Sequence, residues 1–101
     1  MNNCRTLTKD MLADAIKVKV PEASLNFETA KKRAVENARQ VASDPVLMAW
    51  YERETGRFSP DVECCGEEKP SWMIYAESRG GRITIDINEG AYVFIYADFE
   101  G

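Results

Sequence analysis

Histidine is absent from these 101 residues, and that absence removes more chemistry than any other feature of the chain. Without imidazole there is no Ser–His or Cys–His nucleophile, no histidine metal ligand and no side chain whose ordinary pKa lies near neutrality. Cysteine is scarce and odd in number, at three. In a chain with no secretory leader this does not suggest a disulfide framework. The N-terminal stretch "MNNCRTLTKDM" has neither an apolar core nor a small-residue cleavage site, so a cytoplasmic protein is expected. Long hydrophobic runs are missing too: Val46–Tyr51 is six residues and Ala91–Ala97 seven, far short of a membrane span.

Positive charge is also in short supply. The formal net charge is −4, which speaks against a nucleic-acid footprint built on clustered Lys and Arg. The one basic cluster, Lys31, Lys32 and Arg33 with Arg39 beyond it, is interleaved with Glu28 and Glu36 and reads as a solvated helix face. The opposite bias lies in Glu52–Lys69, where six acids outnumber three bases. Such a dipolar surface can steer a protein partner or a second copy of the chain.

What is present is an ordinary globular mixture, 45% apolar and 30% charged, of a length that fits one domain over residues 1–101. Thr8 and the spacing of Met11, Leu12 and Ile16 predict a short helix over 8–14. "AIKVKVP" then alternates β-branched residues with Lys17 and Lys19 up to Pro21, predicting an edge strand over 15–20. In "NFETAKKRAVENARQVASD" Asn26 can cap a helix whose apolar positions, Phe27, Ala30, Ala34 and Ala38, recur at three and four, predicting a helix over 26–44. "SDPVLMAWYERETG" places Pro45 behind a capping Ser43 or Asp44 and ends on Gly56, which predicts a second helix over 43–56.

Three strands are expected after the loop 57–71: "WMIYAES" (72–78), "RITIDIN" (82–88) and "AYVFIYA" (91–97). Gly80–Gly81 reads as a two-residue hairpin turn pairing Ser78 with Ile83, Ala76 with Ile85 and Ile74 with Ile87. A Glu89–Gly90 turn would put Tyr92, Phe94 and Tyr96 on the inner face, and a bulged three-residue loop would put Val93 and Ile95 there; volume favours the aromatics. The expected fold is α+β: a short N-terminal helix, an edge strand and two consecutive helices, then a three-stranded antiparallel meander with the helices packed on one face.

That arrangement leaves one face of the meander open, where Met73, Tyr75, Asp86 and Val93 would form a contact patch, with Asp86 across from Tyr75. Carboxylates at Glu77, Asp86 and Glu89 read as the wet face of a sheet rather than an acid–base pair. The neighbours Cys64 and Cys65 are the remaining candidates. A disulfide between adjacent residues is strained, because bridged Cα atoms usually lie about 4.4–6.8 Å apart and adjacent ones about 3.8 Å. A zinc site wants ligand pairs two to four residues apart and two further ligands, and only Cys4 and carboxylates remain. Asp61, Glu63, Glu67 and Glu68 raise thiol pKa values rather than lower them. Cys64 and Cys65 are therefore expected to be reduced and metal-free, and no cofactor is expected.

The segments "LNFETAKKRAVENAR", "LMAWYERETGRFSPDVEC" and "SWMIYAESRGGRITIDINEGAYVFIY" resemble a set of small prokaryotic α+β domains of unknown function, over about residues 16–97. The shared marks are a Trp-Tyr pair, a Ser-Pro before the cysteine loop and an Arg-Gly-Gly between the late elements. The resemblance implies a bacterial or archaeal protein and carries over no catalytic residue. The function expected is a non-catalytic protein-binding or regulatory module, acting on a protein partner or as a homodimer, with no nucleic acid and no membrane involved. The alternatives are a thiol protein using Cys64 and Cys65 for redox or soft-metal capture, and a small acidic inhibitor or immunity-type protein.

Overall fold

The chain runs through a 3₁₀ turn (Lys9–Leu12), strand β1 (Ile16–Val18), a second 3₁₀ turn (Glu22–Ser24), helix α1 (Phe27–Ala38), strands β2 (Pro45–Glu52) and β3 (Arg57–Ser59), helix α2 (Ser71–Ser78) and strands β4 (Gly81–Ile87) and β5 (Tyr92–Asp98). These elements come from a computed structural model, which describes residues 7–60 and 69–98. The five strands form one mixed sheet in the order β1-β4-β5-β2-β3. β1 runs parallel to β4, and every other neighbouring pair is antiparallel.

The sheet is covered on both faces, and the two cores divide along the strand alternation. On one face α1 lays its alanine stripe, Ala30, Ala34 and Ala38, against Ile85, Ile87, Tyr92, Phe94 and Tyr96. Alanine lets the helix backbone come close, and all three residues are fully buried. Asn26 caps α1 by accepting from the Thr29 amide at 2.8 Å. On the other face α2 and the first 3₁₀ turn cover Ala49, Val93 and Ile95 with Trp72, Met73, Ala76 and Leu12. Trp72 stacks on Tyr51 of β2, the ring centroids 5.2 Å apart and nearly parallel at 7°. β5 is the middle strand, and its six residues Tyr92–Ala97 are all buried. The β4–β5 register pairs Ile87 with Tyr92, Ile85 with Phe94 and Ile83 with Tyr96, so the aromatics take the α1 face.

The expected three-stranded meander with helices on one face is therefore wrong, and two segments account for it. The expected helix over 43–56 is instead the β2–β3 hairpin. Its apolar run Val46–Tyr51 is a strand buried on both sides, Leu47 and Trp50 packing towards α1 and Met48, Ala49 and Tyr51 towards α2. A bulge between Leu47 and Ala49 breaks the simple alternation. Periodicity alone cannot separate such a run from a buried helix, and Pro45 is as acceptable at the first residue of a strand as at the first residue of a helix.

The expected strand 72–78 is helix α2. Trp72, Met73 and Ala76 are its buried side, a grouping that only a helix brings together. The register of Ser78, Ala76 and Ile74 against β4 consequently does not form. Gly80 ends the helix at φ +87, its amide donating to the Glu77 carbonyl at 3.2 Å, and Gly81 already belongs to β4. The N-terminal helix shrinks to the 3₁₀ turn, and α1 stops at Ala38 rather than near residue 44.

Candidate functional site

The four residues expected as an open contact patch are not on an open face, because α2 lies across it. Met73 and Val93 are core, at 3% and 0% exposure. Tyr75 sits half-buried on α2, with the Arg79 guanidinium 4.0 Å from its ring centroid. Asp86 lies across from Lys17 and Val93 in the sheet rather than from Tyr75. It is buried, and its carboxylate is fully engaged: Oδ1 accepts from the Gly90 amide at 2.6 Å and Oδ2 stands 3.3 Å from Lys17 Nζ. This ties the β4–β5 turn to the edge strand. Asn88 extends the tie, accepting from the Val20 amide at 2.7 Å and donating to the Val20 carbonyl at 2.8 Å. These polar groups tie the turn to the edge strand, beside a cleft of about 210 Å³ that Lys9, Leu12, Lys17, Asp86 and Glu89 line. Cys64 and Cys65 lie outside the described residues; among the described ones no group of three or more Cys, Asp or Glu is placed to hold a metal ion.

A different surface gathers groups without using them up. Glu28, Lys31, Lys32 and Val35 fall at spacings of three, four and seven on α1, which puts them on one stripe beside the buried alanines. This stripe faces Pro45 and Leu47 at the start of β2, and between them runs an open groove of about 400 Å³. The wall towards the sheet is Tyr96 of β5. The lysines are exposed and neither is ion-paired with a described residue, whereas Arg33 beside them engages Glu36 at 3.7 Å.

Tyr96 is the group in this groove that the fold leaves unsatisfied. The residue is 2% exposed, yet its hydroxyl has no hydrogen-bond partner among the described residues. A buried, unpaired hydroxyl costs about 1–3 kcal/mol. Burial pushes its pKa up to about 12, and the Arg39 charge opposes that rise. The phenol is therefore a neutral donor at any physiological pH. By contrast Tyr92, four residues earlier on the same face, finds Glu52 Oε2 at 3.4 Å. Its pKa is raised as well, by burial first and then by the Glu52 charge.

A family described as "Domain of unknown function (DUF5619)" matches residues 13–96. The chain belongs to that family. The DUF5619 match takes in all of α1 and β2 and ends on Tyr96, so every lining residue of the groove falls within it. An uncharacterised protein of Archaeoglobus fulgidus is 35% identical over 86 residues, which span 82% of this chain and 87% of that one. The crystal structure of a novel protein from the same organism superposes with a TM-score of 0.70 at 31% identity, covering 86% of this chain and 96% of the other. The expected kinship with small uncharacterised prokaryotic domains holds for this DUF5619 chain; neither relative's name states an activity. Among the described residues no helix is long and apolar enough to cross a membrane.

Sequence reasoning passed over the groove. Lys31 and Lys32 read as a solvated face, and Tyr96 as core. The α1 stripe was there to be read, but its opposite wall, Pro45 and Leu47, had been assigned to a helix.

Proposed function

We propose that this DUF5619 chain is a non-catalytic protein-binding or regulatory module whose partner, another protein or a second copy of the chain, seats in the groove beside α1. The observation that supports the reading is the groove itself: lined by Val35, Pro45 and Leu47, lysine-rimmed on a chain of net charge −4, and bordered by Tyr96, whose buried hydroxyl has no partner among the described residues. Partner sites combine an apolar centre with a polar rim in this way. No bond chemistry is assigned. The chain has no histidine, and Asp86, the buried carboxylate of the described residues, is committed to Lys17 and Gly90.

Site-specific photocrosslinking tests the reading. A benzophenone side chain at Lys32, on the groove, is compared in cells with one at Glu77, exposed on α2. A discrete adduct from position 32 that is absent from position 77 is expected. The same adducts from both positions, or an adduct from position 77 alone, would refute the groove as the contact surface.

A further inference from the structure

We infer that the groove reads a single carboxylate held between apolar side chains on a protein partner, with the Tyr96 hydroxyl as the donor that recognises it; this rests on the binding reading above. Three independent features of the groove ask for the same chemistry. A phenol that is 98% buried finds no acceptor among the described residues, and a carboxylate is the strongest acceptor a protein surface offers. Lys31 and Lys32 at the rim bring positive charge, and the Arg39 charge reaches the hydroxyl as well. Val35, Pro45 and Leu47 supply apolar surface beside these donors, which suits apolar neighbours on either side of the acid.

Two further points narrow the occupant. The groove is open along its length rather than enclosed, so it would cover only one side of a small molecule, whereas small-ligand sites bury about 70–90% of what they hold. A segment anchored on a larger partner does not need such enclosure. Glu28 stands one turn before the lysines and repels a second acid, which favours one carboxylate over an acidic run. In the free protein the hydroxyl has essentially no exposed surface. The acceptor reaches it only when a side chain lining the groove moves aside.

The test is an NMR titration of the ¹⁵N-labelled full chain with three short acetylated, amidated peptides, each with one central residue between leucines: Glu, Gln or Lys. The Glu peptide is expected to shift the amides of Lys31, Lys32, Val35, Leu47 and Tyr96 saturably, and the Gln and Lys peptides to bind at least about tenfold more weakly. Tyr96→Phe removes only a hydroxyl with no partner among the described residues, so the variant folds. It should weaken the Glu peptide about tenfold and leave the Gln peptide unchanged, the loss expected for one hydrogen bond to a charged acceptor. If all three peptides bind the groove alike, or Tyr96→Phe binds the Glu peptide undiminished, the carboxylate inference falls and the groove reading stands. If the peptides shift other surfaces only, both fall. Groove resonances that move with protein concentration alone would make a second copy the occupant and overturn the inference. Free hexanoate binding as tightly as the Glu peptide would replace the protein partner with a small acid.

Discussion

Gly80 and Gly81 are neighbours, yet the fold needs each for a different reason, and substitution separates the two. Gly80 lies at φ +87 with no atom within 4 Å of where a Cβ would stand. Alanine there meets only the backbone penalty of the left-handed region, about 1–2 kcal/mol. Gly81 lies outside that region, but its Cβ would stand 2.8 Å from the Ala76 carbonyl oxygen and 2.9 Å from Ile95 Cγ2. One of those neighbours is helix backbone and the other is a core side chain, so neither yields cheaply. α2 would have to lift from the sheet, and overpacking of this kind costs about 1–3 kcal/mol. In a domain of this size each kcal/mol moves Tm by roughly 4–8 °C. Alanine alone therefore does not distinguish the positions, but asparagine does. Asn tolerates positive φ, so Gly80→Asn should recover much of what Gly80→Ala loses. Gly81→Asn carries the same Cβ and a larger side chain, so it should be at least as damaging as Gly81→Ala. Urea midpoints at unchanged m-value give the comparison. If Gly81→Asn proves as mild as Gly80→Asn, the two glycines form a hairpin turn, and the assignment of 71–78 to a helix fails.

Other perturbations follow from contacts already described. Tyr96→Phe should leave stability equal or raise it by about 1 kcal/mol in a denaturant melt, since it deletes a hydroxyl with no partner among the described residues; a loss of about 2 kcal/mol or more would mean that the hydroxyl has an acceptor. Alkali gives the linked result. With a folded-state pKa of about 12 against an ordinary 10, the native state holds the Tyr96 proton more tightly than the unfolded chain does. Its contribution is thus complete below pH 10 and is lost as pH rises to 12, by roughly 2 kcal/mol, and Tyr96→Phe should flatten that slope. Ala34→Leu, on the alanine stripe of α1, should cost about 1–3 kcal/mol by forcing the helix off the sheet; a neutral outcome would show that α1 is not closely packed. Asn88→Ala removes both side-chain bonds to Val20 and should speed hydrogen exchange at the Val20 amide severalfold, while exchange at Phe94 tracks only the global stability.

α1 and β4 were legible because their patterns admit one reading each: polar and apolar residues separate at three and four in Phe27–Ala38, and Ile83, Ile85 and Ile87 alternate with polar residues. The aromatic parity of β5 was legible from side-chain volume, which broke a tie that the turn length left open. "VLMAWY" and "WMIYA" defeated the same reasoning, since both are apolar on nearly every side and so have no period to measure. In each, neighbouring punctuation broke the tie the wrong way. Pro45 after Ser43–Asp44 looked like a helix start, and Gly80–Gly81 looked like a hairpin. A proline that opens a strand and a glycine that closes a helix satisfy the same local rules. The groove was lost with β2, because a site between two elements cannot be seen when one of them is assigned to the wrong class. Nothing local marks the Tyr96 hydroxyl, whose lack of a partner among the described residues depends on the packing of several elements around it.

The central place of β5 has a consequence for how this chain is made. Tyr92–Asp98 follows every other strand in the sequence, yet it joins β4 on one side to β2 on the other. As the polypeptide leaves the ribosome, β1 through β4 emerge with nothing between β4 and β2 to unite them, and each helix lacks the β5 part of the surface it covers. Vectorial folding from the N-terminus can then yield little beyond local helix and hairpin, and the cooperative transition must await the late strand. Chains halted before residue 92 should be protease-sensitive and dependent on chaperones, and release of the final segment should convert them to the protected state in one step.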